Sequence, residues 1–184
     1  MKLQKFIKNN FLSTLIEVQN KGLSDVLLDI YEMTLIYHYS DSGFETVNEQ
    51  LIKNKGAILS EYAKLLVEVI EKLPCYSDLV FRGTILNRIQ KQRYTNALMT
   101  DSIIKEPYFL STSKSKLIAD LFSKGDTLFM IFSKTGRSIE KFSKFGLHSG
   151  QNEKEVLFLP NTNFEILNIT QNESTTLIVL EGII

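Results

Sequence analysis

The chain has 184 residues, and its 21 lysines and arginines are balanced by 21 aspartates and glutamates, so no net charge attracts nucleic acid or an anionic membrane in bulk. Its single cysteine, Cys75, excludes an internal disulfide framework. The length suits one domain, 1–184, with a proper core. No segment resembles a signal peptide or reaches membrane-spanning length, so we expect a cytoplasmic protein, in a bacterium or, after delivery, in a host cell.

The first part of the chain, residues 1–75, is predicted to be helical. Apolar residues recur there at steps of three and four, which predicts a helical face made of Leu3, Phe6, Ile7, Phe11 and Leu15. Ser24 and Asp25 are expected to cap a second helix, and a turn is expected at 40–43. Further helices are predicted over 44–53 and 57–73.

The second part, residues 76–184, consists of short β-branched and aromatic runs bounded by Gly, Asn, Ser and Thr, which is typical of strands. Strands are predicted over 78–82, 108–111, 127–133, 155–159, 163–169 and 175–180. Helices are predicted over 86–92 and 114–122. Helices first and strands later indicate an α+β fold, with the helical portion packed on the strand-rich one.

Arg82 ends an apolar predicted strand and is followed by Gly83 and Thr84. Its planar guanidinium offers a fork of donors that suits a pyrophosphate, and a glycine lets a ligand approach the backbone closely. Taken alone, an Arg-Gly pair is more often a strand end with a surface ion pair.

Hydroxyl residues stand at the next junction, Ser111-Thr112-Ser113, between a predicted strand and an amphipathic helix. Such residues commonly cap the free amides of a helix, and Ser113 fits that role.

Two carboxylates, Glu153 and Glu155, precede the apolar run 156–159. On an extended chain they would lie side by side on one face. Taken alone, a Glu-x-Glu pattern usually lies at a solvated strand edge. Here Lys154 would offset the repulsion between the two carboxylates. The run that follows has the pattern of a strand buried on both faces, which favours carboxylates that line a cleft.

In order and residue type these segments resemble the Arg…Ser-Thr-Ser…Glu-x-Glu pattern of mono-ADP-ribosyltransferases of the clostridial-toxin and ectoenzyme type, which include small phage-encoded relatives. The resemblance covers about 78–181. Members of this family split the nicotinamide–ribose bond of NAD and pass ADP-ribose to an acceptor. The resemblance therefore implies NAD as substrate, no metal, and a strand-rich core with two facing sheets around an NAD cleft.

The resemblance also implies roles for residues that bind NAD. Arg82 would grip NAD, and the adjacent backbone of Gly83 and Thr84 would receive the nicotinamide amide. Ser111 would orient the catalytic glutamate, with Thr112 beside it. Phe142 is the first choice for an aromatic ring that packs on the nicotinamide, and Phe145 is the second; either could instead belong to the core.

The two glutamates would divide the catalysis. Glu155 would stabilise the oxocarbenium-like transition state as nicotinamide leaves. Glu153 would orient and help deprotonate the nucleophile. A glutamate rather than a glutamine at that earlier position implies an arginine acceptor on a target protein.

Other hypotheses stay open at this point. The acceptor could be RNA or DNA, contacted by Lys134, Arg137, Lys141 and Lys144, or the chain could be a catalytically silent NAD- or protein-binding module. A toxin, effector or phage product is the expected setting, with a neutralising antitoxin or inhibitor as an open further partner. His38 and His148 have no Cys or Asp spacing beside them that would indicate a metal site.

Overall fold

The computed structural model describes residues 2–172 and 174–184. Its helices are α1 (Lys2–Asn10), α2 (Leu12–Asn20), α3 (Ile30–His38), α4 (Phe44–Lys53), α5 (Glu61–Ile70), α6 (Arg88–Met99) and α7 (Lys116–Ser123). A π-helical segment, Tyr39–Gly43, joins α3 to α4. The strands are β1 (Cys75–Tyr76), β2 (Leu79–Thr84), β3 (Ile104–Glu106), β4 (Leu110–Ser113), β5 (Thr127–Phe132), β6 (Gly136–Ser138), β7 (Glu155–Phe158), β8 (Thr162–Gln171) and β9 (Thr176–Gly182).

The chain divides into two compact units. The first contains the residues up to Pro74 together with Arg137–Glu155, and therefore helices α1 to α5. The second contains Cys75–Gly136 and Val156–Ile184, with most of the strands and helices α6 and α7. The chain passes from one unit to the other within β6 and again within β7. The expectation of a single domain stays a prediction.

Helix α3 begins later than the sequence predicts. Asp29 and Glu32 form a complete capping box, in which each side chain accepts a hydrogen bond from the other residue's backbone amide. The predicted caps Ser24 and Asp25 therefore lie before the helix. Val26 is fully exposed for the same reason.

Other helix boundaries in the first unit also differ from the predictions. The single predicted face near the N-terminus is divided between α1 and α2, which are separated at Phe11. The predicted helix 57–73 is shorter because Ser60 caps α5, its hydroxyl accepting a hydrogen bond from Ala63 N at 3.2 Å. The predicted turn at 40–43 is instead the π-helical continuation of α3.

The strands within the described residues form one sheet of nine, in the order β1-β6-β7-β4-β2-β5-β9-β8-β3. The family resemblance implies two facing sheets, and hydrogen bonding connects the described strands in one continuous order. Strand β2 is antiparallel to β5, with Arg82 opposite Phe129, and β5 is parallel to β9. The hydrophobic core of the second unit includes Val80, Ile131, Val156, Phe158, Phe164 and Leu180.

Three short strands and part of one helix are missing from the sequence-based prediction. Strands β1, β3 and β6 are two or three residues long, which is too short to show an alternating pattern. Helix α6 continues to Met99 after a capping box formed by Asn87 and Gln90. None of the helices in the described ranges is long and apolar enough to cross a membrane.

Candidate active site

Arg82 lies in β2, which is flanked in the sheet by β4 and β5. The side chain is half-buried, and its Nη1 donates a hydrogen bond to the carbonyl oxygen of Ser111 at 2.7 Å. The structure therefore brings the first predicted segment and the Ser-Thr-Ser segment together. Because the guanidinium is tied to a backbone atom of the next strand, its position is fixed by the sheet.

Gly83 has a packing role that its sequence pattern does not indicate. A Cβ at this position would lie 1.7 Å from the carbonyl oxygen of Ala119 and 2.4 Å from the amide nitrogen of Ser123, both in α7. The backbone of α7 therefore packs closely against β2 at this position. The predicted contribution of Gly83 to NAD binding stays a prediction.

The turn after Arg82 is held by a carboxylate. Thr84 ends β2 opposite Thr127, and the neighbouring Asp126 accepts hydrogen bonds from Leu86 N at 2.9 Å and Lys91 Nζ at 2.8 Å. The lysine contact, followed by the amide contact, lowers the pKa of Asp126 to about 2. The backbone at Thr84 therefore leaves the strand along a defined path.

The Ser-Thr-Ser segment, in β4, has two structural contacts that its sequence pattern did not distinguish. The hydroxyl of Thr112 donates to the carbonyl oxygen of Val156 at 2.7 Å and ties β4 to β7. The hydroxyl of Ser113 accepts a hydrogen bond from Ser115 N at 3.0 Å, just before α7 begins. The N-cap residue of α7 is Ser115, so Ser113 holds the turn before the helix and, contrary to the prediction from sequence, does not cap the amides of its first turn. The catalytic support expected from Ser111 stays a prediction.

Glu155 is the first residue of β7 and is only 5% exposed. Within its own unit, the hydroxyl of Ser143 donates to Glu155 Oε2 in a long hydrogen bond of 3.5 Å. The carbonyl oxygen of Glu155 accepts from Ile139 N at 3.1 Å. The sequence analysis missed Ser143, although it lies in a segment already singled out for its aromatic residues.

Glu153 lies outside the strand, which corrects the prediction that the two glutamates share one face of an extended chain. The residue between them, Lys154, has a φ of 52°, so the alternation of a strand does not hold here. The amide of Glu153 donates to Phe145 O at 2.8 Å. Burial raises the pKa of the Glu153 carboxyl above its ordinary value.

The loop before the glutamates is compact. A Cβ on Gly146 would lie 1.9 Å from the carbonyl oxygen of Glu140, so only glycine allows this close approach. Asn152 Nδ2 donates to Glu140 Oε1 at 2.7 Å. Phe142 is only 4% exposed and Phe145 is half-buried, so the second choice for the nicotinamide ring is the more accessible one.

The lysines considered for nucleic-acid contacts are paired with carboxylates. Lys144 Nζ lies 2.7 Å from Glu17, Lys141 Nζ 2.5 Å from Asp25, and Lys134 Nζ 3.0 Å from Glu181. These contacts leave less positive charge for a phosphate backbone. Within the described residues, no group of three His, Cys, Asp or Glu side chains is arranged to hold a metal ion.

Comparison with known sequences identifies relatives. The profile of the family NAD:arginine ADP-ribosyltransferase matches residues 52–183. Mav of Mycobacterium avium (strain 104) is 31% identical over 160 residues, which are 85% of this chain and 18% of Mav. NAD(+)–protein-arginine ADP-ribosyltransferase Tre1 of Serratia proteamaculans (strain 568) is 30% identical over 170 residues, which are 90% of this chain and 35% of Tre1. The chain thus spans about a fifth to a third of the length of these two relatives.

Solved structures share the fold. Exoenzyme S from Pseudomonas aeruginosa, in complex with human 14-3-3 protein beta and carba-NAD, has a TM-score of 0.75 at 20% identity, over 98% of this chain and 86% of that chain. The Vis toxin from Vibrio splendidus, in complex with agmatine, has a TM-score of 0.70 at 23% identity, over 95% of this chain and 86% of that chain. They confirm the predicted ADP-ribosyltransferase-like α+β fold.

The matched range, 52–183, is more than half of the chain and contains Arg82, Ser111 to Ser113 and the two glutamates. NAD is the substrate of that family. The chain therefore belongs to the NAD:arginine ADP-ribosyltransferases.

Proposed function

We propose that this chain is an NAD-dependent mono-ADP-ribosyltransferase that transfers ADP-ribose from NAD to an arginine side chain of a target protein and releases nicotinamide. The observation that carries the proposal is the buried carboxylate of Glu155, at the first residue of a strand, in a chain of this family. A carboxylate is seldom placed in such surroundings unless it is paired or functional. The chain acts as one ADP-ribosyltransferase domain.

In this proposal Arg82 holds the pyrophosphate of NAD. A guanidinium has five N–H donors, and the contact with Ser111 O uses Nη1, so the remaining donors can meet phosphate oxygens. The backbone of Gly83 and Thr84 and the side chains of Ser111 and Thr112 complete the NAD contacts. A ring from Phe142, or from the more accessible Phe145, packs on the nicotinamide.

Glu155 acts on the bond that breaks, which joins nicotinamide N1 to ribose C1′. The electron pair leaves with nicotinamide, and positive charge develops on the ribose. The Glu155 carboxylate bonds the ribose hydroxyl and stabilises that charge in surroundings where water is largely excluded. Ser143 helps to hold the carboxylate in place.

Glu153 acts on the acceptor. A guanidinium is cationic and a weak nucleophile, so a neighbouring carboxylate both attracts it and takes its proton as its nitrogen bonds to C1′. Burial raises the pKa of Glu153, which makes it a stronger base than an ordinary glutamate. Tre1 is named a protein-arginine transferase and Vis is solved with agmatine, which supports an arginine acceptor.

RNA or DNA is the less favoured acceptor. Lys134, Lys141 and Lys144 are paired with carboxylates, and the chain has no net charge. The names of relatives such as the Vis toxin support a toxin or effector as the setting. A neutralising antitoxin or inhibitor is a further partner of such a protein.

The proposal is tested by incubating the protein with NAD labelled in the adenosine part, first with agmatine and then with a cell lysate. Labelled ADP-ribosyl-agmatine, and lysate label that protease removes but nuclease leaves, are the expected results. Label that nuclease removes would favour the nucleic-acid acceptor. Absence of nicotinamide release in every mixture would contradict the enzyme activity and favour a silent binding module.

A further inference from the structure

The first unit contains contacts that the proposed chemistry does not use. Four residues of the N-terminal part of the chain, Glu17, Asp25, Tyr37 and Ser40, contact the segment that contains Ser143. We propose that the π-helical segment 39–43, together with the cluster Glu17–Tyr37–Lys144, positions Ser143 and through it the carboxylate of Glu155. These would be positioning residues for NAD cleavage, and the inference rests on the proposed function.

Ser40 makes the central contact. Its hydroxyl oxygen accepts a hydrogen bond from Lys144 N at 2.8 Å and donates to Tyr37 O at 3.0 Å. The residue is 8% exposed, so water does not readily replace either partner. Since Ser143 and Lys144 are consecutive, a fixed amide at Lys144 restricts where the Ser143 side chain can lie.

The widened turn that carries Ser40 is itself held in place. The Phe44 amide bonds to Tyr39 O five residues earlier, which is the π-helical pattern. A Cβ on Gly43 would lie 2.5 Å from Tyr62 Oη and 2.7 Å from His38 Nδ1, so the end of the segment fits tightly against two rings. Such an insertion in a helix is uncommon and is often found where function requires it.

Charged contacts fix the same segment from a second side. Lys144 Nζ lies 2.7 Å from Glu17 Oε1, which also accepts a hydrogen bond from the Tyr37 hydroxyl at 2.5 Å. The ammonium lies 5.2 Å from the centre of the Tyr37 ring. The Lys144 contact lowers the pKa of Glu17, and the Glu17 contact raises the pKa of Lys144.

The directions of these pKa shifts define the pH range in which both Glu17 and Lys144 are charged. The contribution of Glu17 to stability is present above its ordinary pKa of 4.5 and is lost as pH falls through the lowered value. The contribution of Lys144 is present below 10.5 and is lost as pH rises through the raised value. The pair is therefore intact across the neutral range.

The contact between Ser143 and Glu155 is the most sensitive of these contacts to a change of position. Ser143 Oγ donates to Glu155 Oε2 at 3.5 Å and accepts from Phe145 N at 3.3 Å. At 3.5 Å a hydrogen bond is already near the limit of useful geometry, so a small displacement of Ser143 would break it. Loss of the Ser40 contact should therefore change the reaction rate more than it changes substrate binding.

The test compares Ser40→Ala with Ser40→Thr and with Thr34→Val. Thr34 is a matched control because it is fully buried in α3 and its hydroxyl donates within the helix, to Ile30 O at 2.7 Å. Nicotinamide release gives kcat and KM, and hydrogen exchange is followed at the amides of Lys144 and Phe145. We expect Ser40→Ala to lower kcat roughly 10-fold at unchanged KM and to speed exchange at Lys144. Ser40→Thr should restore most of the kcat and most of the exchange protection at Lys144. Thr34→Val should change neither kcat nor exchange at Lys144.

A second pair tests the charged contact. Lys144→Gln should lower kcat, whereas Lys72→Gln, which removes the ion pair with Glu32 elsewhere in the unit, should not. Unchanged exchange at Lys144 in Ser40→Ala, or a loss of kcat no greater than in Thr34→Val, would overturn the inference. A wild-type protein that releases no nicotinamide would instead contradict the proposed function, while the exchange comparison would still decide whether Ser40 holds the segment.

Discussion

The two regions that contain the predicted catalytic residues are held by different kinds of contact. Arg82 lies within a sheet, and its guanidinium bonds to a backbone carbonyl of the neighbouring strand. Glu155 follows an irregular segment that is held partly by side chains: Ser143 contacts the Glu155 carboxylate, and Ser40 and Glu17 contact Lys144. The position of Arg82, the residue proposed to bind phosphate, is thus set by the sheet, whereas the position of Glu155 depends in part on side-chain contacts that point mutations can remove.

The largest effect is expected at the carboxylate. Glu155→Gln keeps the size of the side chain but removes the charge that is needed as the glycosidic bond breaks, so nicotinamide release and transfer to agmatine should both fall by about 10²-fold or more. Glu165→Gln, an exposed glutamate of β8, is the control and should retain both activities. Full release by Glu155→Gln would show that another group stabilises the transition state.

The second-largest effect is expected on the free energy of unfolding, from a substitution at Gly83 in β2. Gly83→Ala places a methyl group 1.7 Å from a backbone carbonyl of α7, so we expect a loss of about 2 kcal/mol or more in the free energy of unfolding. Urea unfolding measures it. The control is Gly150→Ala, because nothing lies within 4 Å of a Cβ there. Equal stability of the two variants would mean that the packing of α7 on β2 is looser than described.

A smaller effect is expected on NAD affinity. Arg82→Lys replaces a two-pronged contact by a single ammonium, so the Kd for NAD should rise roughly 10-fold, or about 1.4 kcal/mol. A calorimetric titration measures the affinity and a thermal melt the fold, with Arg88→Lys on the exposed face of α6 as the control. An unchanged Kd would make Arg82 a structural residue.

The smallest effect is expected from pH. Because burial raises the pKa of Glu153, this base becomes protonated at a higher pH than an ordinary glutamate does. The ratio of ADP-ribose transferred to nicotinamide released should therefore fall as pH is lowered from about 7 to about 5. The Glu153→Gln variant should show no such slope. A ratio that is constant with pH in the wild type would argue against Glu153 as the base.

Much of the fold was predictable because the strands near the site have strong local patterns. The prediction of β7 at 155–159 agrees with Glu155–Phe158, which is buried throughout, and the prediction of β5 differs from the structure by one residue. The Arg…Ser-Thr-Ser…Glu-x-Glu pattern identified Arg82, Ser111 and the two glutamates as candidate site residues. Asp29 was missed as a cap because Ser24 and Asp25 offered the same residue types closer to the first helix.

The irregular segment was less predictable because its conformation depends on residues distant in sequence. Nothing local to Ser143 indicates that Ser40, 104 positions away from Lys144, holds the adjacent amide. The left-handed backbone at Lys154 was also not foreseen, since lysine rarely adopts it and the pattern around it is that of a strand. The close packing of α7 against Gly83 was not foreseen either, because only the structure brings this helix against β2.

In the proposed mechanism Glu155 serves bond cleavage and Glu153 serves the acceptor. The most direct measurement compares nicotinamide release with ADP-ribose transfer to agmatine, in the same reaction, for wild type and Glu153→Gln. We expect transfer by the variant to fall by about 10²-fold or more while release of nicotinamide to water is retained. Equal loss of both activities would contradict the division of labour, and undiminished transfer would contradict the arginine-directed role of Glu153.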